Sequence, residues 1–318
     1  MSHSPVSCLI VDEMHPSILP MLEGIGVQPD YRPDLGAREV PEALAGYEGL
    51  IVRSKLQITL ETLRKADKLR FIARAGAGVD NIADEVISAG RVVVMNAPEG
   101  NREAVGEHCV GLLLSLLRNI SRADRQVREK VWLREENRGE EIGGKLIGLV
   151  GYGNMGQAFA RCLAGFGCTV WACDLSQEGK EGPFARLTEM AELFDQADVL
   201  SLHIPLTDRN FHFANEAFFS SFRKNIWFLN TARGEVVDQE ALVRHLRSGK
   251  VKGAALDVLQ NEKLGTLTEK QLSDFSYLAQ APNVVLTPHI AGWTHESYRK
   301  INEVLVQKIH HFLAGERR

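Results

Sequence analysis

The chain has 318 residues, 44% hydrophobic and 25% charged, with a formal net charge of −4. That is long enough for two ordinary domains and globular rather than disordered in composition. The slightly acidic balance excludes a general attraction to nucleic acid or an anionic membrane surface.

The opening MSHSPVSCLIVDE has no basic segment followed by a long apolar core, so no signal peptide is expected. The longest apolar run, around Val110–Leu117, is too short to span a bilayer. Five cysteines (Cys8, Cys109, Cys162, Cys168, Cys173) lack CxxC or Cys/His zinc spacing. Most sit in apolar segments and are expected as buried small hydrophobes in a reducing, cytoplasmic setting, with no structural metal.

Alternating short apolar runs and helical patterns fill the first 98 residues. Strands are expected at 6–11, 50–52, 71–73 and 92–95, with an extended segment at 27–31. Helices are expected at 16–24, 40–45, 59–66 (with Thr59 as cap) and 83–89. This rhythm predicts a small α/β layer domain. After the polar break NAPEGN, Asn101 is expected to cap a long helix over 102–118, with Val105, Cys109, Leu112, Leu113, Leu116 and Leu117 on its apolar face. The charged stretch 121–144 reads as an arm. Strands at 146–150, 168–173, 199–204, 226–229, 254–256 and 284–286 follow. Helices at 157–164, 187–194, 215–222 and 239–248 alternate with them, and a terminal helix spans 294–313.

The densest signal is Lys145–Asp174. An apolar strand runs into Gly151, Gly153 and Gly156 in GxGxxG spacing, a helix follows, and a second strand ends at Asp174. Gly151 suits the tight turn, Gly153 a close approach to a pyrophosphate, and Gly156 close helix–strand packing. The helix N-terminus offers N–H groups to phosphate. Asp174 suits the ribose hydroxyls and repels a 2′-phosphate. Leu175, Ser176 and Gln177 add no cation, so NAD is favoured over NADP.

In open α/β sheets ligands lie outside the carboxyl ends of the strands. The polar residues there are Arg53, Arg74 with its glycine loop, Asp174, His203, Arg233, Asp257 and His289, with Glu262 shortly after Asp257. A fixed planar cation (Arg233), a histidine (His289) and a carboxylate to orient it (Glu262) suit carbonyl reduction by hydride. Position alone leaves open a surface arginine, a turn histidine and a solvated glutamate.

The sequence resembles the D-isomer-specific 2-hydroxyacid dehydrogenases over essentially its whole length, through GYGNMG with Asp174, LNTARGEVVD (229–238), AALDVLQNE (254–262) and LTPHIAG (286–292). The resemblance implies that Arg233, Glu262 and His289 are catalytic. It also implies NAD contacts from Asn154, Met155, Asp174, Thr231, Ala232, Arg233, Asp257 and the turn from His289 to Gly292, with Asp257 on the nicotinamide carboxamide. His203 joins the cofactor set by its strand-end position. The implied fold is two doubly wound parallel-sheet domains. A discontinuous flavodoxin-like substrate domain (1–98 and 293–318) is joined by a cleft to a Rossmann NAD-binding domain (99–292), which includes a dimerisation helix and arm at about 101–144. A homodimer is expected.

Within the family, LIVRSKLQIT, RAGAGVDNI and VMNAPEGN fit most closely the subgroup acting on 3-phosphoglycerate. That implies substrate contacts from Arg53, Arg74 and the Gly76, Ala77 and Gly78 loop, with Arg134 reaching across a dimer. The alternatives are reduction of glyoxylate, hydroxypyruvate or another small 2-oxo acid and, in a different class, an NAD-sensing corepressor. Three departures stand out. Lys263 follows Glu262 where the family often has proline. The 262–289 stretch is long and reads as a surface excursion rather than a lid. The sequence ends at Arg318, without a C-terminal serine-sensing domain, so no serine feedback is expected.

Overall fold

The computed structural model describes residues 5–175 and 182–316. The chain divides into two units, Met1–Asn101 with Trp293–Arg318, and Arg102–Gly292. In the first, β1 (Val6–Ile10), β2 (Val27–Tyr31), β3 (Gly49–Val52), β4 (Phe71–Arg74) and β5 (Val93–Asn96) form a parallel sheet in the order β2-β1-β3-β4-β5. This is the flavodoxin-type order. The apolar runs CLI, LIV and FIA are buried because both faces are covered. Ile18, Leu22, Ile301, Leu305 and Ile309 pack on one face, and Val40, Leu44, Leu63 and Val86 on the other.

The second unit holds β6 (Leu146–Val150), β7 (Thr169–Cys173), β8 (Arg186–Leu187), β9 (Val199–Leu202), β10 (Ile226–Asn230), β11 (Val251–Leu256) and β12 (Val284–Leu286). Their order is β12-β11-β10-β9-β6-β7-β8, all parallel. The order reverses between β6 and β9, and a ligand crevice is expected at such a switch point. There His203 N–H donates to Val150 O at 2.7 Å. The two doubly wound parallel sheets read from the sequence are present.

Four local expectations differ. Residues 59–66 form turns rather than a helix. Leu63 N–H reaches Thr59 O, but Arg64 and Ala66 bond only three residues back, to Glu61 and Leu63. Thr59 does accept from Thr62 N–H, at 3.2 Å. The long helix begins at Pro98 and runs to Leu117, so Asn101 lies inside it rather than capping it. Proline is pre-organised for a first helical position. Arg186–Leu187 extend the sheet beside β7, and the following helix starts at Met190. The 262–289 stretch is no surface excursion. Thr268 and Gln271 make a capping box that starts a helix at Glu269–Gln280, Leu278 is buried in the core, and the helix is the crossover that delivers β12.

Candidate functional site

The glycine loop follows β6. Gly151 has φ +94°, and a side chain there would strike His203 O. A Cβ on Gly156 would lie 2.2 Å from Gly151 O. These two glycines are demanded by the chain's own packing. Gly153 is not, because nothing lies within 4 Å of a Cβ built there. Its bare backbone faces open space at the N-terminus of the helix Asn154–Leu163, whose first turn has no side-chain cap and no acidic residue. That open, uncapped cradle fits a dinucleotide pyrophosphate. Asp174 Oδ2 accepts from Tyr152 N–H at 2.6 Å, which ties the end of β7 to the loop. Ser176 and Gln177, part of the reasoning for NAD over NADP, lie outside the described residues.

Burial pulls His203 down to about 4, so its ring is neutral at pH 7. Its Nε2 lies 2.9 Å from Ser201 Oγ. Asn154 and Met155 stand in the first turn of the helix. Thr231 follows β10, and its hydroxyl lies 3.2 Å from the buried Cys109 Sγ.

Arg233 sits in extended backbone just before a short 3-10 turn. Asn230 fixes this bend from both sides. Its Oδ1 accepts from Ala232 N–H at 3.0 Å and its Nδ2 donates to Arg233 O at 2.9 Å. A Cβ on Gly234 would lie 1.9 Å from Leu259 O, so only glycine lets the arginine loop press against the segment leading to Glu262.

His289 follows β12 at φ +55°, an uncommon conformation for a histidine. Three bonds hold the turn. His289 N–H donates to Asp257 O at 2.7 Å, Ile290 N–H to Asp257 Oδ1 at 2.9 Å, and Ala291 N–H to Asp257 Oδ2 at 2.8 Å. Thr287 Oγ1 donates to the same carboxylate at 2.5 Å, and His108 Nε2 lies 3.5 Å away. Asp257 is 1% exposed. Burial pushes its carboxyl up, but the His108 ring, the Thr287 hydroxyl and the two backbone donors outweigh that and hold it below the usual range. The carboxylate that the resemblance places on the nicotinamide carboxamide also builds the histidine's turn.

His289 Nδ1 lies 2.9 Å and 3.0 Å from the two Glu262 oxygens. A carboxylate only accepts, so Nδ1 carries the proton and Nε2 is left for chemistry. The hydrogen bond donated to Glu262 raises the pKa of His289, while partial burial and the Arg233 charge oppose it. Arg233, Glu262 and His289 are thus gathered at the ends of β10, β11 and β12. Gly292 closes the same turn.

The substrate candidates separate. Arg53 and Arg74 belong to the first unit, at the ends of β3 and β4, where Val52 pairs with Arg74. The Arg53 guanidinium lies 4.3 Å from the Trp293 ring centroid and 5.3 Å from that of Tyr298. The Arg74 guanidinium lies over Gly76, and Asn96 Nδ2 donates to Ala77 O at 2.6 Å, which fixes the loop through Gly78. Arg134 is exposed on the arm of the second unit. Sequence reasoning missed His108, Trp293 and Tyr298. A histidine beside Cys109 on an apolar helix face carries no pattern that sets it apart from a core residue. Trp293 follows LTPHIAG directly and could have been flagged by that adjacency.

Among the described residues no group of three or more His, Cys, Asp or Glu could hold a metal ion, and no helix is long and apolar enough to cross a membrane.

Residues 110–291 match the model of the D-isomer specific 2-hydroxyacid dehydrogenase NAD-binding domain. A D-3-phosphoglycerate dehydrogenase from Methanocaldococcus jannaschii is 32% identical over 98% of this chain and 58% of its own length. A hydroxypyruvate reductase from Thermotoga maritima is 34% identical over 85% of this chain and 86% of its own. The crystal structure of a D-lactate dehydrogenase from Aquifex aeolicus, complexed with NAD and lactic acid, superposes with a TM-score of 0.82 at 27% identity, covering 97% of this chain and 96% of that one. The chain spans little more than half the length of the D-3-phosphoglycerate dehydrogenases it matches. With the glycine-loop sheet, the strand-end residues and these likenesses in hand, the chain belongs to the D-isomer specific 2-hydroxyacid dehydrogenase family, and its second unit carries the family's NAD-binding domain.

Proposed function

We propose that the chain interconverts a small D-2-hydroxy acid and its 2-oxo acid, and that the physiological pair is 3-phosphoglycerate and 3-phosphooxypyruvate at the entry to serine synthesis. The observation that carries the chemistry is the His289–Glu262 pair on a turn tied by a buried carboxylate, with the Arg233 charge close enough to act on the ring. Bound in the Gly151–Gly156 cradle, NADH supplies hydride to the carbonyl carbon, and NAD accepts it in the reverse direction. In reduction, His289 Nε2 gives its proton to the carbonyl oxygen and Glu262 holds the Nδ1 proton in place. Arg233 holds the substrate carboxylate and offsets charge growing on the carbonyl oxygen. One 2-oxo acid, one NADH and one proton yield one 2-hydroxy acid and one NAD.

The phosphorylated substrate is supported by two cations one residue apart in register on neighbouring strands, Arg53 and Arg74. A second reading is reduction of unphosphorylated hydroxypyruvate or glyoxylate. Trp293 and Tyr298 favour it, because the Arg53 guanidinium is already engaged with two rings. The proposal includes a homodimer formed through the arm, where Ile120, Val127 and Trp132 are exposed, Trp132 by 81%.

The test is NADH oxidation with 3-phosphooxypyruvate beside hydroxypyruvate, glyoxylate and pyruvate. A kcat/KM at least about tenfold higher for the phosphorylated acid, lost in Arg53→Ala or Arg74→Ala, is expected, because a hydrogen bond to a charged group is worth about 1.5–3 kcal/mol. Equal turnover of the unphosphorylated acids selects the second reading. NADH binding with no turnover of any acid points to a corepressor-like role.

A further inference from the structure

Arg102 stands beside the first residue of the helix Asn154–Leu163. Its Nη1 donates to Asn154 Oδ1 at 3.4 Å, and its Nε faces Glu103 Oε1 at 3.4 Å. Glu103 is shared with Arg161, 3.1 Å away. The Arg102 side chain is 41% exposed, and its bonds are long enough to be given up for a better acceptor.

For the helix alone this cation is misplaced. A helix N-terminus carries positive partial charge and is stabilised by anions. This one has neither an acid in its first turn nor a side-chain cap, and a guanidinium is set against it. Glu103 is divided between Arg102 and Arg161, and Arg161 stands in the last turn of the helix, away from its N-terminus. The glycine loop ends at the same point with Gly153, open to space. Asn154 and Met155 contribute no charge there, so a dianionic pyrophosphate would find its cation only from outside the loop.

We infer that Arg102 is a further cofactor-binding residue, supplying beside Asn154 the cation for the pyrophosphate of the dinucleotide. The planar donor fork of arginine matches two phosphate oxygens. The inference rests on Gly151–Gly156 being the cofactor cradle.

NADH is titrated by fluorescence into the full chain and into Arg102→Ala, Arg102→Gln, Arg102→Lys and Gly153→Val, with ADP-ribose and adenosine as competitors. The open space at Gly153 lets that variant fold while filling the cradle. Loss of the charge in the Ala or Gln variant is expected to weaken NADH and ADP-ribose about tenfold at low salt, the lower end for a charge-assisted bond to an exposed arginine. The gap should narrow between about 0.05 M and 0.5 M salt as screening grows. Adenosine, which lacks the pyrophosphate, should bind all Arg102 variants alike, and Arg102→Lys, which keeps the charge but not the fork, should recover only part of the loss. Unchanged NADH affinity in both Ala and Gln variants, or an equal loss for adenosine, overturns the role of Arg102 and leaves the cradle standing. Undiminished NADH binding by Gly153→Val, or no binding by the unaltered chain, overturns the cradle and the inference with it.

Discussion

At the scale of single residues, the site is built on one hydrogen-bonded pair and one buried carboxylate. Glu262 raises the pKa of His289, and the proposed reduction needs the protonated ring. Reductive kcat/KM should therefore fall as pH rises through the His289 pKa. In Glu262→Gln, which keeps the shape but loses the charge, that fall should move to lower pH; an unmoved profile would remove Glu262 from the role. The same sign governs stability. The pair contributes fully below the unfolded histidine pKa, and the contribution is lost as pH rises through the raised folded value. Asp257 shows what sequence reading does not reach. A strand-end aspartate reads as a ligand contact; that its carboxylate also meets Thr287, Ile290, Ala291 and His108 depends on elements far away in the chain. Nothing in the local pattern AALDV announces them. Glu262 and His289, by contrast, were legible as strand-end residues whose chemistry fits together.

At the scale of elements, the arm is anchored by Glu140. Its carboxylate meets Lys145 at 2.7 Å and the indole N–H of Trp227 at 3.3 Å, with Lys252 on the other oxygen. Partial burial pushes Glu140 up, but the hydrogen bonds and charges of Lys145 and Lys252 outweigh it and take it to about 2. A depressed carboxylate stabilises above its unfolded pKa, and that stability is lost as pH falls toward about 2. The group is partly exposed, so screening leaves about 1 kcal/mol. Glu140→Gln should lower Tm by about 2–4 °C at pH 7. The gap from the unaltered chain should begin to narrow below pH about 4.5 and be lost only as pH approaches about 2; a gap that does not narrow across that window would contradict the assignment. Most elements were readable from apolar runs between polar breaks. The failures have local causes. Pro98 starts its helix before the polar break ends, the 59–66 segment makes isolated turns, and the charged 262–289 stretch hides a crossover helix that buries little beyond Leu278.

At the scale of the whole molecule, two sheets of different strand order share one chain, and the long helix Pro98–Leu117 begins in one unit and continues in the other. The proposed dimer predicts a mass in light scattering of twice 35.3 kDa at micromolar concentration. Trp132→Ser should shift it toward the monomer, and a monomeric mass for the unaltered chain would refute the dimer. The central claim is that His289 moves the proton while the glycine-loop sheet separately holds the cofactor. The most direct measurement is NADH affinity and 2-oxo-acid turnover in His289→Ala, side by side. Loss of turnover by about 100-fold or more, the scale of general acid catalysis, with NADH affinity within about twofold, is the predicted result. Turnover within about tenfold of the unaltered chain would contradict it.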